Sequence, residues 1–482
     1  MSRTNGNRNG NGTGHGSQNG AGDGSRVDAQ LRRSERNRTL RRWLRPGIGV
    51  KRWLLVVFLG LLLLALAFAH LIRQVGLGLE PGGLAGTFID LVTLQFLPYP
   101  LRGVIVGSIG VGLLAVGGYR AMRSMTDPLR ASDADQPLVE VIYQKRFLAR
   151  GPRIVTIGGG TGLSSLLRGL KEHTSNLTAV VTVADDGGSS GVLRTELGIP
   201  PVGDIRNCIA ALADAEPLMN ELLQYRFPVA DADTSAADGP GLAGHAVGNL
   251  LLAAMTAIEG GDFEEGVRRI NRILAVRGQV VPVTATPLTL HARCRDGSVV
   301  DGQSHIMLTP DIERVWLTPD GVDASEDALA AIADAELIVL GPGSLFTSLL
   351  PSLLLPSIRD ALLAAAAPRL YVCNVATQDG ETAGFDLAAH VEALVAHTAP
   401  GLVDIVLANN RFDPRIATDG SAESVRLNWP PAALQPVPRL ILDDVVNPDN
   451  PRHHDSARLA TAILSALEAE TATRRRTVGR TA

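Results

Sequence analysis

Between Ile154 and Asn207 the chain twice runs from an unbroken apolar stretch into a glycine-rich turn. Ile154-Val155-Thr156-Ile157 gives way to Gly158-Gly159-Gly160-Thr161-Gly162, and Ala179 to Val183 gives way to Asp185-Asp186-Gly187-Gly188-Ser189-Ser190-Gly191. Short apolar runs of this kind, each ending in glycines, read as parallel strands whose carboxyl ends face a ligand. Helix amino termini and free backbone N–H groups at that edge attract phosphate. The pattern restricts the chain to an α/β fold and places the ligand at one sheet edge.

The alternation continues. Strand 154–157, helix 162–173 and strand 178–184 lead through a loop to Pro201, then to helices 204–214, 244–258 and 262–276. Residues 280–317 are rich in Val, Thr and Leu, with glycines at turns, and read as inserted antiparallel strands. Strand 335–340 then enters Gly341-Pro342-Gly343-Ser344 and a helix. Strand 370–375, helix 386–397, strand 404–408 and helix 457–468 complete the domain. This order predicts a Rossmann-like parallel sheet with helices on both faces and a small β-rich insertion, over residues 153–470.

Ahead of that domain, Trp53 to Ile72 carries no Asp, Glu, Lys or Arg, and about 20 apolar residues suffice to cross the hydrocarbon core. A second, glycine-rich apolar stretch, 103–119, is flanked by Arg102 and Arg120. A secretory signal would begin near residue 1, whereas about 50 polar residues precede the first stretch. Arg32, Arg33, Arg36, Arg38, Arg41, Arg42, Arg45, Lys51 and Arg52 precede the first stretch, and Arg120, Arg123 and Arg130 follow the second. The positive-inside rule then predicts a transmembrane hairpin (49–123) in the cell membrane, with both termini and the large domain cytoplasmic. The arginine cluster suits anionic lipid headgroups. Residues 1–48 form a Gly/Asn-rich then Arg-rich tail expected to be disordered, 124–152 a linker and 471–482 a basic tail.

The three cysteines are far apart in sequence and match no metal or disulfide spacing, and a formal net charge of −4 gives no nucleic-acid signal. The chemistry therefore rests on the turns. Gly158 to Gly162 opens a helix, but Leu163 stands where a dinucleotide fingerprint wants its third glycine, and no Lys-Ser or Lys-Thr pair makes an ATPase-type phosphate loop. Gly159, Gly160, Thr161 and Gly162 are its candidate ligand contacts. In the second turn Asp185 and Asp186, with Gly188 and Ser189, suit a divalent cation such as Mg²⁺ beside a phosphate; a solvated turn cap is the alternative.

Asp204, Arg206 and Asn207 share the first turn of a helix, where arginine offers planar, bidentate recognition of phosphate or carboxylate. His245 and Asn249 stand four apart, which puts them on one face of the helix at 244–258. Gly341, Gly343 and Ser344 repeat the strand–glycine–helix arrangement and offer a second anion cradle.

Six ordered motifs, Gly-Gly-Gly-Thr-Gly (158–162), Ala-Asp-Asp-Gly-Gly-Ser-Ser-Gly (184–191), Gly-Asp-Ile-Arg-Asn (203–207), Gly-His-Ala-Val-Gly-Asn (244–249), Gly-Pro-Gly-Ser (341–344) and Cys-Asn-Val-Ala-Thr-Gln (373–378), closely resemble the gluconeogenesis factor (YvcK-like) family. That family lies within the superfamily of 2-phospho-L-lactate transferases (CofD-like). The resemblance implies a domain that binds UDP-N-acetylglucosamine, a role in cell shape and cell-wall precursor supply, and homodimers. It adds Asn374 and Thr377 to the nucleotide cleft, beside Asn207, His245 and Asn249, and gives Asp185 or Asp186 a metal or ligand contact. Ala383 departs from it, standing where the family often carries Asp.

Two functions follow. One is a membrane-tethered regulator that binds a nucleotide-sugar. The other is a Mg²⁺-dependent 2-phospho-L-lactate transferase-like enzyme with a guanosine nucleotide donor. An aromatic content of 4% leaves little for a deazaflavin slot and favours the first. A nicotinamide dehydrogenase is disfavoured by the missing glycine and the superfluous second aspartate.

Overall fold

The computed structural model describes Leu61 and residues 147–481, apart from 214–215, 229–240 and 418–421. Strands β1 (Ile154–Gly158), β2 (Leu177–Val181) and β3 (Gln279–Pro282) come first. An antiparallel trio follows, β4 (Thr289–Cys294), β5 (Val299–Asp301) and β6 (Ile312–Thr318), and then β7 (Leu337–Leu340), β8 (Arg369–Val372), β9 (Ile405–Asn409) and β10 (Arg439–Asp443). The strands outside the trio make one parallel sheet of seven, ordered β10-β9-β8-β7-β1-β2-β3. Chain order runs outward from β1 to β3 on one side and from β7 to β10 on the other. Right-handed crossovers therefore put the helices of the two halves on opposite faces and open a crevice between β1 and β7.

Burial follows the sequence. Every residue of β1, β7 and β9 is buried, whereas the edge strand β10 is half-exposed. Helix α1 (Gly160–Leu170) buries Leu163, Leu166, Leu167 and Leu170, one face at helical spacing. It packs against the helix Gly203–Leu212 and against the C-terminal helix Ser456–Thr481.

Four expectations are corrected. The stretch expected to be a loop to Pro201 contains helix α2 (Gly188–Leu197), hidden because its glycines are weak helix formers. Gly191 is required there: a β-carbon would overlap the Asp186 carbonyl oxygen. The helix expected at 244–258 begins at Val247, so His245 lies before it in extended chain. Gln279–Pro282 joins the parallel sheet beside β2, and the antiparallel insertion begins only at Thr289. Strand β10 carried too little apolar pattern to be anticipated.

The spans predicted at 53–72 and 103–119 lie outside the described residues, as do the tail and most of the linker. Among the described residues no helix is long and apolar enough to cross a membrane.

Candidate functional site

The turns after β1 and β7 meet at the crevice. Gly341 donates its N–H to the Ile157 carbonyl at 2.8 Å. A β-carbon on Gly162 would lie 2.8 Å from the Pro342 carbonyl oxygen, and one on Gly343 would lie 3.2 Å from that of Gly159. Gly341 holds φ +81°, a conformation that side chains disfavour. Only glycines let these two backbones touch. Above them lies a cavity of about 360 Å³, lined by Gly159, Gly160, Thr161, Gly162, Gly343, Ser344, Asn374, Thr377 and Gln378 among others. The amino terminus of α1 opens into it.

The carboxylates divide differently from their spacing in sequence. Asp185 accepts the Gly187 N–H at 3.0 Å, and a β-carbon on neighbouring Gly203 would lie 3.0 Å from its Oδ2. One residue on from Gly203 is Asp204, whose Oδ2 is buried without a partner and occupies the space a side chain on Gly159 would need. Burial, then the charge of Asp185, pushes the Asp204 carboxyl up to about 6, against the Gly160 N–H and Arg206. Burial likewise raises Asp185. Asp186 turns away: its Oδ1 accepts the Ser304 N–H at 2.9 Å and the Ser304 hydroxyl at 2.7 Å, tying the turn to the antiparallel insertion.

Two ionisable carboxylates that approach each other, one with an orphaned oxygen, fit Mg²⁺, which binds through one or two carboxylates and keeps several waters. The pair is Asp185 with Asp204. Among the described residues no group of three or more His, Cys, Asp or Glu side chains could hold a metal on its own.

Behind this pair Ser189 is a hub. Its hydroxyl meets His245 Nδ1 at 3.0 Å and accepts from Asn249 Nδ2 at 3.0 Å. Arg206 donates to Asn249 Oδ1 and to Asn207 Oδ1, both at 3.0 Å. His245 and Asn249 thus converge through Ser189, across two segments, and not along one helix face. Burial and then Arg226 pull the Arg206 pKa down, opposed by Asp204 and Asp185. None of Asp185, Asp186, Asp204, Gly188, Ser189, Arg206, Asn207, His245, Asn249 or Gly341 lines the cavity; the acidic pair and its network lie beside it.

The far wall comes from 374–379, where Asn374 donates to the Gly343 carbonyl at 3.0 Å and Gln378 to Ser344 Oγ at 2.8 Å. Sequence reasoning missed Arg452, His453 and His454, which also line the cavity. Their signal was the polar run Arg452-His453-His454-Asp455 just before the last helix. Burial pushes His454 down to about 4, so it is neutral at pH 7, and its Nε2–H donates to the Cys373 carbonyl.

Residues 154–429 match the family model described as 2-phospho-L-lactate transferase CofD. The gluconeogenesis factor of Bacillus subtilis is 44% identical over 329 residues, covering 67% of this chain and all of that protein. The chain belongs to the gluconeogenesis factor family. A second member of this family, from Listeria monocytogenes, is 39% identical and covers 66% of this chain and 97% of its own length. The fold is also that of a crystallised protein from Bacillus halodurans, 42% identical, with a TM-score of 0.60, covering 65% of this chain and 100% of that one.

Proposed function

We propose that this chain binds a nucleotide-sugar, UDP-N-acetylglucosamine, in the cavity between Gly159–Gly162 and Asn374–Gln378. Its role is that of a membrane-tethered regulator of cell shape, cell-wall precursor supply and carbon metabolism. The observation that carries the reading is the contact of two glycine turns at the crevice between β1 and β7, with the start of α1 facing the space above them. A helix amino terminus stabilises a diphosphate, and the amide and hydroxyl groups of Asn374, Thr377, Gln378 and Ser344 suit sugar hydroxyls and a base edge. Among the described residues no Phe, Tyr or Trp lines the cavity, which favours a sugar over a flat ring system.

Asp185 and Asp204 would hold Mg²⁺, which when bound offsets phosphate charge. The chain's own part is to keep both carboxylates ionised against burial, with Arg206 held nearby by Asn249 and Asn207. The apolar stretches 53–72 and 103–119 would anchor the chain in lipid with the large domain cytoplasmic, and the expected assembly is a homodimer.

The unpartnered Asp204 Oδ2 favours a second reading, Mg²⁺-dependent transfer of 2-phospho-L-lactate from a guanosine nucleotide, because a buried orphan oxygen suits a cation. Calorimetric titration of the full chain in detergent with UDP-N-acetylglucosamine, GDP and NAD, each with and without Mg²⁺, separates the readings. Selective binding of the UDP-sugar without turnover supports the regulator; Mg²⁺-dependent binding of GDP alone overturns it in favour of the transferase.

A further inference from the structure

Glu381 is 2% exposed and is not among the residues that line the cavity, yet it touches the structure behind two of the cavity's walls. Its carboxylate accepts the Phe346 N–H at 3.1 Å and the Thr347 hydroxyl. Both donors belong to the turn Leu345–Leu349, which continues directly from Gly341-Pro342-Gly343-Ser344. Glu381 itself ends the stretch that begins at Asn374, so the same two segments are joined three times over: Asn374 to Gly343, Gln378 to Ser344, and Glu381 to Phe346 and Thr347. The first two joints are neutral and border the cavity. The third is buried and, once Glu381 is ionised, charged, which strengthens it relative to the two neutral joints.

We infer that Glu381 is a positioning residue: it fixes the Gly341–Ser344 turn against the 374–379 wall and so sets the width of the ligand cavity. The inference rests on that cavity being the nucleotide-sugar site.

Burial pushes the Glu381 carboxyl up to about 7, while the Thr347 hydroxyl and the Phe346 and Thr347 N–H groups hold it down. No charged side chain contributes. The groups facing it are neutral: Thr347 and Phe346 from the turn, and the backbone of Met307 and Leu308 against Gly380. In the same layer His397 lies edge-on to Phe346 and His390 edge-on to Phe385, and burial lowers both histidines. Asp386, at the start of the following helix, stays below its ordinary range. Of the two carboxylates in this layer, Glu381 is the one pushed toward neutrality.

The test compares the full chain with Glu381→Gln by UDP-N-acetylglucosamine titration between about pH 7 and 8.5, where Asp204 is mostly ionised. The chain itself should bind more tightly as pH rises, whereas E381Q should bind roughly ten-fold more weakly at the upper end and show little pH dependence, as expected for loss of a charged hydrogen bond. Equal affinity, or an unchanged pH profile in E381Q, overturns the inference. If E381Q does not fold, Thr347→Val replaces it. That change removes a donor that lowers the Glu381 pKa, so the affinity midpoint should move to higher pH, and a stationary midpoint counts against the role. If the unaltered chain binds no UDP-sugar at any pH, the ligand assignment fails by itself. Hydrogen exchange of the 345–349 amides then decides the joint: faster exchange in E381Q upholds it, equal exchange refutes it.

Discussion

Gly162 and Pro342 meet backbone to backbone across the crevice, with room for no side chain between them: a β-carbon on Gly162 would stand 2.8 Å from the Pro342 carbonyl oxygen. This contact sets the spacing of the two turns that flank the cavity. Gly162→Ala should push them apart and weaken nucleotide-sugar binding, and it should also cost stability, on the order of 1–3 kcal/mol for an overpacked site. Gly169→Ala is the control. There the β-carbon would overlap the Ser456 carbonyl oxygen, where α1 meets the C-terminal helix. It should lower the thermal midpoint at least as much while leaving the affinity of the folded fraction intact. Equal binding defects in both would remove the special role of the Gly162 contact.

Asp204 trades stability for binding. Its folded-state carboxyl is raised from 3.8 to about 6, so ionising it costs stability, and the cost grows as pH rises through that interval. Asp204→Asn escapes it. Urea unfolding at about pH 8 should find the variant more stable by roughly 3 kcal/mol, with the advantage gone below about pH 4. The same variant should lose the Mg²⁺ enhancement of ligand binding. A variant no more stable than the parent at alkaline pH would mean that the ionised carboxylate is already fully compensated.

Asp186 and Ser304 form one unit, carboxylate and cap, joined at 2.9 and 2.7 Å. Asp186→Asn and Ser304→Ala should each destabilise the fold by roughly 1–2 kcal/mol, and the double variant by less than the sum, because they break the same bonds. Mg²⁺-dependent binding should survive both. Should D186N abolish it while S304A does not, Asp186 is a metal ligand, as its place beside Asp185 in the sequence suggested.

Residues 1–124 precede the sheet and its cavity in sequence. A chain lacking them should remain soluble, unfold cooperatively and bind the same ligand with unchanged affinity, as followed by circular dichroism and calorimetry. Aggregation of the shortened chain would place the domain boundary earlier.

Much of this was written along the chain. Apolar runs that end in glycines dictated parallel strands with turns at their carboxyl ends, because a strand buried on both faces must be apolar throughout and a backbone that approaches another must lack side chains. Those local rules located Gly159 to Gly162, Gly343 and Ser344 on one cavity, with Gly341 behind it, and the motif order identified the family. They also overlooked α2, whose glycines lower helix propensity although Gly191 is what lets its first turn close against Asp186.

What only the tertiary structure decided is which groups face each other. Adjacent Asp185 and Asp186 part company, one beside Asp204 and the other toward Ser304, more than a hundred residues away. His245 and Asn249 meet through Ser189 because two separate segments fold onto it, and Arg452 to His454 reach the cavity from the far end of the domain. Glu381 gained its buried position in the same way. Local propensity depends on neighbours along the chain, whereas burial and charge pairing depend on neighbours in space, and the crossovers of the sheet bring those together.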